Sequence, residues 1–225
     1  MPDARKDERV LARLVSEIRA CRICRETPRG PPLPHAPRPV LRPSASASIC
    51  ICSQAPGVRV HASGIPFTDP SGDRLRAWLA LSAEEFYDVR RIAIVPMGFC
   101  FPGQDAAGGD LPPRRECART WHARLFAAMP QLQLILAVGG YAQRWHMERG
   151  SEGGMTCAVR RWREGLAARS MPRRIALPHP SWRNNECLAA NPWFETELLP
   201  ALREEVRRLM GASDYPLHAP EYGKT

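Results

Sequence analysis

A chain of 225 residues, 44% of them hydrophobic and 24% charged, is long enough to bury a sizeable core and has the balance of an ordinary globular protein. No run approaches the roughly 18 consecutive apolar residues of a membrane helix, and the charged start, Met1 to Arg9, is unlike a signal peptide, so the expected location is the cytoplasm. The formal net charge is +9, from 32 Lys plus Arg against 23 Asp plus Glu, which suits a polyanionic partner.

Lys6 and Lys224 are the only lysines, so the positive charge is carried by arginine, whose planar fork binds phosphate and stacks on bases. A GC-rich genome would also favour Arg over Lys, but it would not create the net excess. Eight cysteines in a reducing compartment are not expected to form a disulfide framework. They are apolar fillers or metal ligands, and spacing separates the two.

In chain order, Asp7 to Ala20 reads as a helix, with Val10, Leu11, Leu14, Val15 and Ile18 at helical spacing, and it runs into Cys21 and Cys24. Thr27 to Pro43 holds seven prolines and is expected to be an extended surface segment. Ser48 to Ser53 is a short β-type run followed at once by Gln54-Ala-Pro-Gly57, the strand-then-turn pattern where α/β proteins put their chemistry. A helix over Asp73 to Leu81 follows, with Leu75, Trp78 and Leu79 on one face. Next come a strand over Arg91 to Pro96, a Gly/Pro-rich loop over Gly98 to Pro113 and a helix over Arg114 to Met129.

Leu132 to Val138 is the most apolar strand, and it gives way at Gly139-Gly140 to a helix over Ala142 to Arg149. Arg173 to Leu177 is the fourth strand, ending at Pro178-His179-Pro180-Ser181, and a helix from about Trp193 to Met210 closes the chain. The tail after Gly211 is expected to be poorly ordered. Short strands alternating with helices predict a single α/β domain over 1–225, a three-layer α/β/α sandwich around a central four-stranded parallel sheet.

Four segments carry the chemistry. They are Gln54-Ala-Pro-Gly57 with Gly64-Ile-Pro-Phe67-Thr-Asp69-Pro-Ser-Gly72-Asp73, then Pro96-Met-Gly98-Phe-Cys100, then the strand ending Val138-Gly139-Gly140, then His179-Pro-Ser-Trp-Arg183-Asn184. No phosphate-loop or dinucleotide fingerprint surrounds Gly139 and Gly140, which argues against a nucleotide cofactor. Cys21 and Cys24 form C-x2-C, and Cys100 and Cys117 form C-x16-C. Four thiolates suit an iron–sulfur cluster or structural zinc. Cys50 and Cys52 lie within one strand and are not expected to face one metal without distortion; with Cys157 and Cys187 they read as plain thiols.

Taken in this order, the segments resemble the uracil-DNA glycosylase superfamily, most closely its bacterial and archaeal iron–sulfur branch, over roughly residues 21 to 210. The resemblance implies a monofunctional enzyme, expected to be a monomer, that flips uracil from single- or double-stranded DNA and hydrolyses its N-glycosidic bond. It implies Phe67 as the platform on which the base stacks, with Ala55, Gly57, Met97 and Gly98 around it. It implies His179 as the donor to the departing base, Ser181, Arg183 and Asn184 as DNA contacts, and Cys21, Cys24, Cys100 and Cys117 as ligands of a [4Fe–4S] cluster, with zinc as the alternative. No lysine lies near a motif, so a Schiff-base lyase is not expected.

Two positions depart from the branch's pattern. Gln54 stands where the relatives have Glu, and an amide cannot accept a proton at neutral pH, so it positions water or substrate but is not a general base. Asp69 is the replacement candidate, against the alternative that it caps the following helix; His61 is a further one. Pro96 stands where the relatives have an Asn that reads the base edge, leaving backbone groups of Met97 and Gly98 to do so. The rival reading is a DNA-binding iron–sulfur protein of this fold that has lost excision or acts on another deaminated base.

Overall fold

The computed structural model describes residues 4–147 and 154–211; the expected disorder after Gly211 lies outside the described residues. Four strands, β1 (Ile49–Cys52), β2 (Ile92–Ile94), β3 (Leu134–Val138) and β4 (Arg173–Leu177), form one all-parallel sheet in the order β2-β1-β3-β4. Parallel strands need long crossovers, and helices fill them on both faces, so each strand is apolar on two sides rather than one.

Alternate residues separate the two cores. Ile49, Ile51, Ile92, Leu134, Leu136 and Ile175 pack against Leu75, Trp78, Phe86 and Phe194. Cys50, Cys52, Ala93, Ile135 and Ala137 pack against Leu14, Ile18, Trp121 and Leu125. The same period of two corrects the expectation for Cys50 and Cys52. Residues two apart share a face, and their sulfurs stand 3.7 Å apart, fully buried.

The strands fall where the apolar runs put them, and helix boundaries shift. The first helix spans Ala4–Arg19. The second is Pro70–Leu79, three residues earlier than its apolar face suggested, because Asp69 caps it and Pro70 suits its first turn. The expected helix over 114–129 is Arg115–Cys117 and Ala123–Ala127 joined by a widened turn at Ala118–His122 that buries the consecutive Trp121 and His122. The last helix, Leu199–Met210, also opens on a widened turn, Phe194–Leu198, because Pro200 has no N–H to donate to the carbonyl four residues back. Short helices at Val58–Ser63 and Asn185–Ala189 had no periodic signal.

The proline-rich segment is extended but not confined to the surface. Leu33, Val40 and Leu41 are buried, and Arg42 pairs with Ile94 through N–H···O bonds of 2.8 Å in both directions, covering the β2 edge. Some of the arginine excess is also structural. Arg203 donates to the carbonyls of Ala77 and Trp78, and Arg207 to that of Ala80, so cations from the last helix close the carboxyl end of the Pro70–Leu79 helix. No helix among the described residues is long and apolar enough to cross a membrane.

The buried His122 and Phe99 form an aromatic nest with the half-buried His146 and Phe126, and His122 Nε2 donates to Pro96 O at 3.1 Å. Burial lowers His122 to about 4, against the bond to Pro96, and lowers His146 to about 3. The unfolded chain therefore takes up protons near pH 6.5 while the folded one stays neutral. Their contribution to stability is present above that pH and drains away as pH falls, by about 1.4 kcal/mol per pH unit for each group. Denaturant midpoints measured from pH 7 down to 4.5 should drop steeply, and a flat profile would contradict the nest.

Candidate active site

An open cavity lies at the carboxyl edge of the sheet. Its walls include Ser53 and Ala55 after β1, Pro96 after β2, His179 after β4, and Phe67 and Asp69 ahead of the Pro70–Leu79 helix. These residues are far apart in the chain and meet because parallel strands deliver all their carboxyl ends to one side.

Phe67 is held in an unusual backbone state, with φ 60°, and the surroundings over-determine it. Tyr87 Oη reaches the carbonyls of Pro66 and Phe67 at 2.8 and 3.1 Å, and Arg76 donates to Phe67 O at 3.3 Å. The Phe67 ring meets Phe86 edge-on at 5.8 Å, leaving its position fixed by packing.

Asp69 lines the cavity and also caps the helix, its Oδ1 accepting from Gly72 N at 3.0 Å. The capping alternative therefore holds, on a side chain that also lines the cavity. Gln54 is not among the cavity walls, and its amide lies near the His179 turn: a Cβ on Gly139 would stand 3.0 Å from Gln54 Nε2 and 3.3 Å from His179 Cβ. Gly57 and Ala55 line the cavity.

The expectation for Met97 and Gly98 needs correction. Their N–H groups are already taken, Met97 N by Ser53 O at 2.8 Å and Gly98 N by Gln54 O at 2.9 Å, because they extend the β1–β2 pairing beyond the strands. The Met97 side chain packs in the core on the far face. Neither N–H is free to read a base edge.

His179 is largely buried, and burial lowers its imidazole, with Asp69 and Asp110 pulling the other way. It is therefore neutral at pH 7 and carries a single N–H to offer. Its turn is braced from two sides. Gln143 Nε2 and Gly139 N both donate to Leu177 O, at 2.7 and 2.8 Å, and Asn184 Nδ2 donates to His179 O at 2.6 Å.

Asn184 therefore supports the histidine rather than facing outward. Ser181 caps the next turn, with Arg183 N donating to its Oγ at 3.3 Å, and Arg74 ties down Ser181 O and Asn185 Oδ1. Arg183 lies over the ring of Trp182, which is 74% exposed. A tryptophan left in solvent beside an arginine, directly after the His179 turn, is a feature that sequence reasoning passed over.

Cys21, Cys24, Cys100 and Cys117 line one apolar cavity beneath the first helix, with Ile18 and Trp121. The Cys24 thiol is held below its ordinary value, first by a hydrogen bond from Cys117. Among the described residues, no three His, Cys, Asp or Glu side chains converge as ligands of a single ion. His61 stands away from the cavity, its ring 4.3 Å from that of His35 and 5.7 Å from Phe101.

Fold and site together define an α/β protein with an open cavity where the strands end, a phenylalanine on one wall and a neutral imidazole on another. The family model described as the uracil DNA glycosylase superfamily matches residues 41–203. The chain belongs to that superfamily. The matched span holds every wall of the cavity except Val40, and it excludes Cys21 and Cys24.

Proposed function

We propose that this chain is a monofunctional uracil-DNA glycosylase of the iron–sulfur type, which leaves an abasic site in DNA. The single observation that carries this is the meeting of Phe67, Asp69 and His179 around one cavity. A flipped pyrimidine would stack on Phe67. As the C1′–N1 bond breaks, the electron pair leaves with the base and negative charge grows on its O2. A neutral His179 donates its N–H there, the fixed-donor arrangement that is often the largest catalytic contribution. Water adds to the sugar cation, and Asp69 is placed to orient it. Trp182 and Arg183 would meet the duplex, the ring filling the gap the base leaves and the guanidinium meeting phosphate.

Four cysteines around one cavity support a metal centre there, and four thiolates suit a [4Fe–4S] cluster, with zinc as the alternative. Bound there, the group would pin the first helix to the Cys100 loop, and the cavity around His179 is built from other residues. Protein purified anaerobically should absorb near roughly 400 nm if the cluster is present.

The test of function is alkali-induced cleavage of a uracil-containing oligonucleotide after incubation with the protein. Uncleaved strands would end the enzyme reading and leave a DNA-binding protein of the same fold. Asp69 separates its two tasks by substitution. Asp69→Asn keeps a helix cap, so it should melt as the wild type does while excising about tenfold more slowly through loss of its charge. Asp69→Ala removes the cap too, and should lower stability by about 1 kcal/mol in a urea titration.

A further inference from the structure

Resting on the glycosylase reading, we propose that Asp110 is the carboxylate that takes the proton of the attacking water. The loop that carries it is a built structure rather than a plain connector. Asp105 Oδ1 accepts from Ala107 N and Gly109 N at 2.9 and 2.8 Å, closing a tight turn. Gly103 and Gly108 hold positive φ of 98° and 76°, which a side chain would resist. Gln104 and Asp110 pair as an isolated antiparallel bridge, and Leu111 N donates to Gly103 O at 2.9 Å.

This small hairpin lays the Asp110 carboxylate against the Gln54–Gly57 turn. A Cβ built on Gly57 would stand 3.0 Å from Asp110 Oδ2, so the carboxylate lies close against that glycine. Gly57 is itself part of the cavity wall, so the carboxylate lies beside that wall. Asp110 Oδ1 is held by Gln104 Nε2 at 3.3 Å, and Oδ2 is the oxygen turned to the glycine. Its charge is also felt at the buried His179, where it opposes the effect of burial.

The alternatives are less well placed. Gln54 has no group that accepts a proton at neutral pH, and it is not among the cavity walls. Asp69 has one oxygen committed to Gly72 N at a helix start. A division of labour follows. Asp69 orients the water, Asp110 accepts its proton as the oxygen bonds to C1′, and the base departs as an anion that solvent protonates. One water is consumed, and the sum is free base plus an abasic sugar.

Single-turnover excision from a uracil-containing single-stranded oligonucleotide tests this. Asp110→Asn preserves the contact with Gln104 and should bind the oligonucleotide as the wild type does, yet excise at least about 10²-fold more slowly. Asp110→Ala should be equally slow and recover part of its rate with added formate, a small carboxylate able to enter the open cavity. An active wild type with Asp110→Asn within threefold of it overturns the proposal while leaving the glycosylase reading intact. Slow Asp110 variants that also lose DNA affinity and show no recovery with formate overturn it too. A wild type inert on uracil-containing DNA ends both readings at once.

Discussion

Replacing His179 by alanine should slow uracil excision by about 10² to 10³-fold, equivalent to about 2.7 to 4 kcal/mol of transition-state stabilisation, with little change in DNA affinity. The size follows from the setting. The imidazole is buried, neutral at working pH and fixed by a turn whose carbonyls are held by Gln143, Gly139 and Asn184. A preorganised donor of this kind needs no reorientation when charge develops on the leaving base. Truncation should leave the fold intact, since the side chain faces a cavity rather than a packed core. Single-turnover rates beside equilibrium binding to the same oligonucleotide make the check. A matching loss in binding and rate would mean that His179 holds ground-state substrate and contributes nothing specific to bond breaking.

Gly72→Ala should have the largest structural effect of any small substitution near the site, costing about 3 kcal/mol or more in stability and abolishing activity. A Cβ there would lie 1.9 Å from Phe67 O, 2.6 Å from Phe67 C and 2.9 Å from Phe67 Cβ. Two of those atoms are backbone, so no rotamer change relieves the contact. The first turn of the helix and the strained Phe67 turn must separate, which loosens Phe67 and the Asp69 cap together. Gly30→Ala is the control, because nothing lies within 4 Å of its added methyl. Urea midpoints of the two variants should differ by nearly the whole effect. Equal midpoints would show that the helix start can shift at little cost.

The two predictions concern residues that the sequence treated differently. His179 was legible because its surroundings, a strand ending in Pro-His-Pro-Ser, form part of an ordered set of motifs. Gly72 was visible only as a letter in a motif; its role depends on how closely Phe67 approaches, and no local pattern encodes a distance between two backbones. Trp182 illustrates the same limit. As an apolar letter in a polar loop it had no periodic meaning, and its significance lies in remaining exposed when most tryptophans are covered.

The sequence by itself determined the four strands, their parallel arrangement and the turns that carry Phe67, Asp69 and His179. Each of these depends on short-range signals, namely apolar runs, turn residues and the order of motifs. Only the tertiary structure decided which backbone donors were free. Met97 and Gly98 lost theirs to Ser53 and Gln54, more than forty residues earlier in the chain. It alone brought Asp110 to Gly57, set the Gln54 amide beside Gly139 and gathered two cysteines from before the matched region and two from within it around one cavity. The physical reason is the same in each case: hydrogen-bond partners and contacts between distant segments are set by how strands align and how loops pack, and hydropathy along the chain carries no record of either.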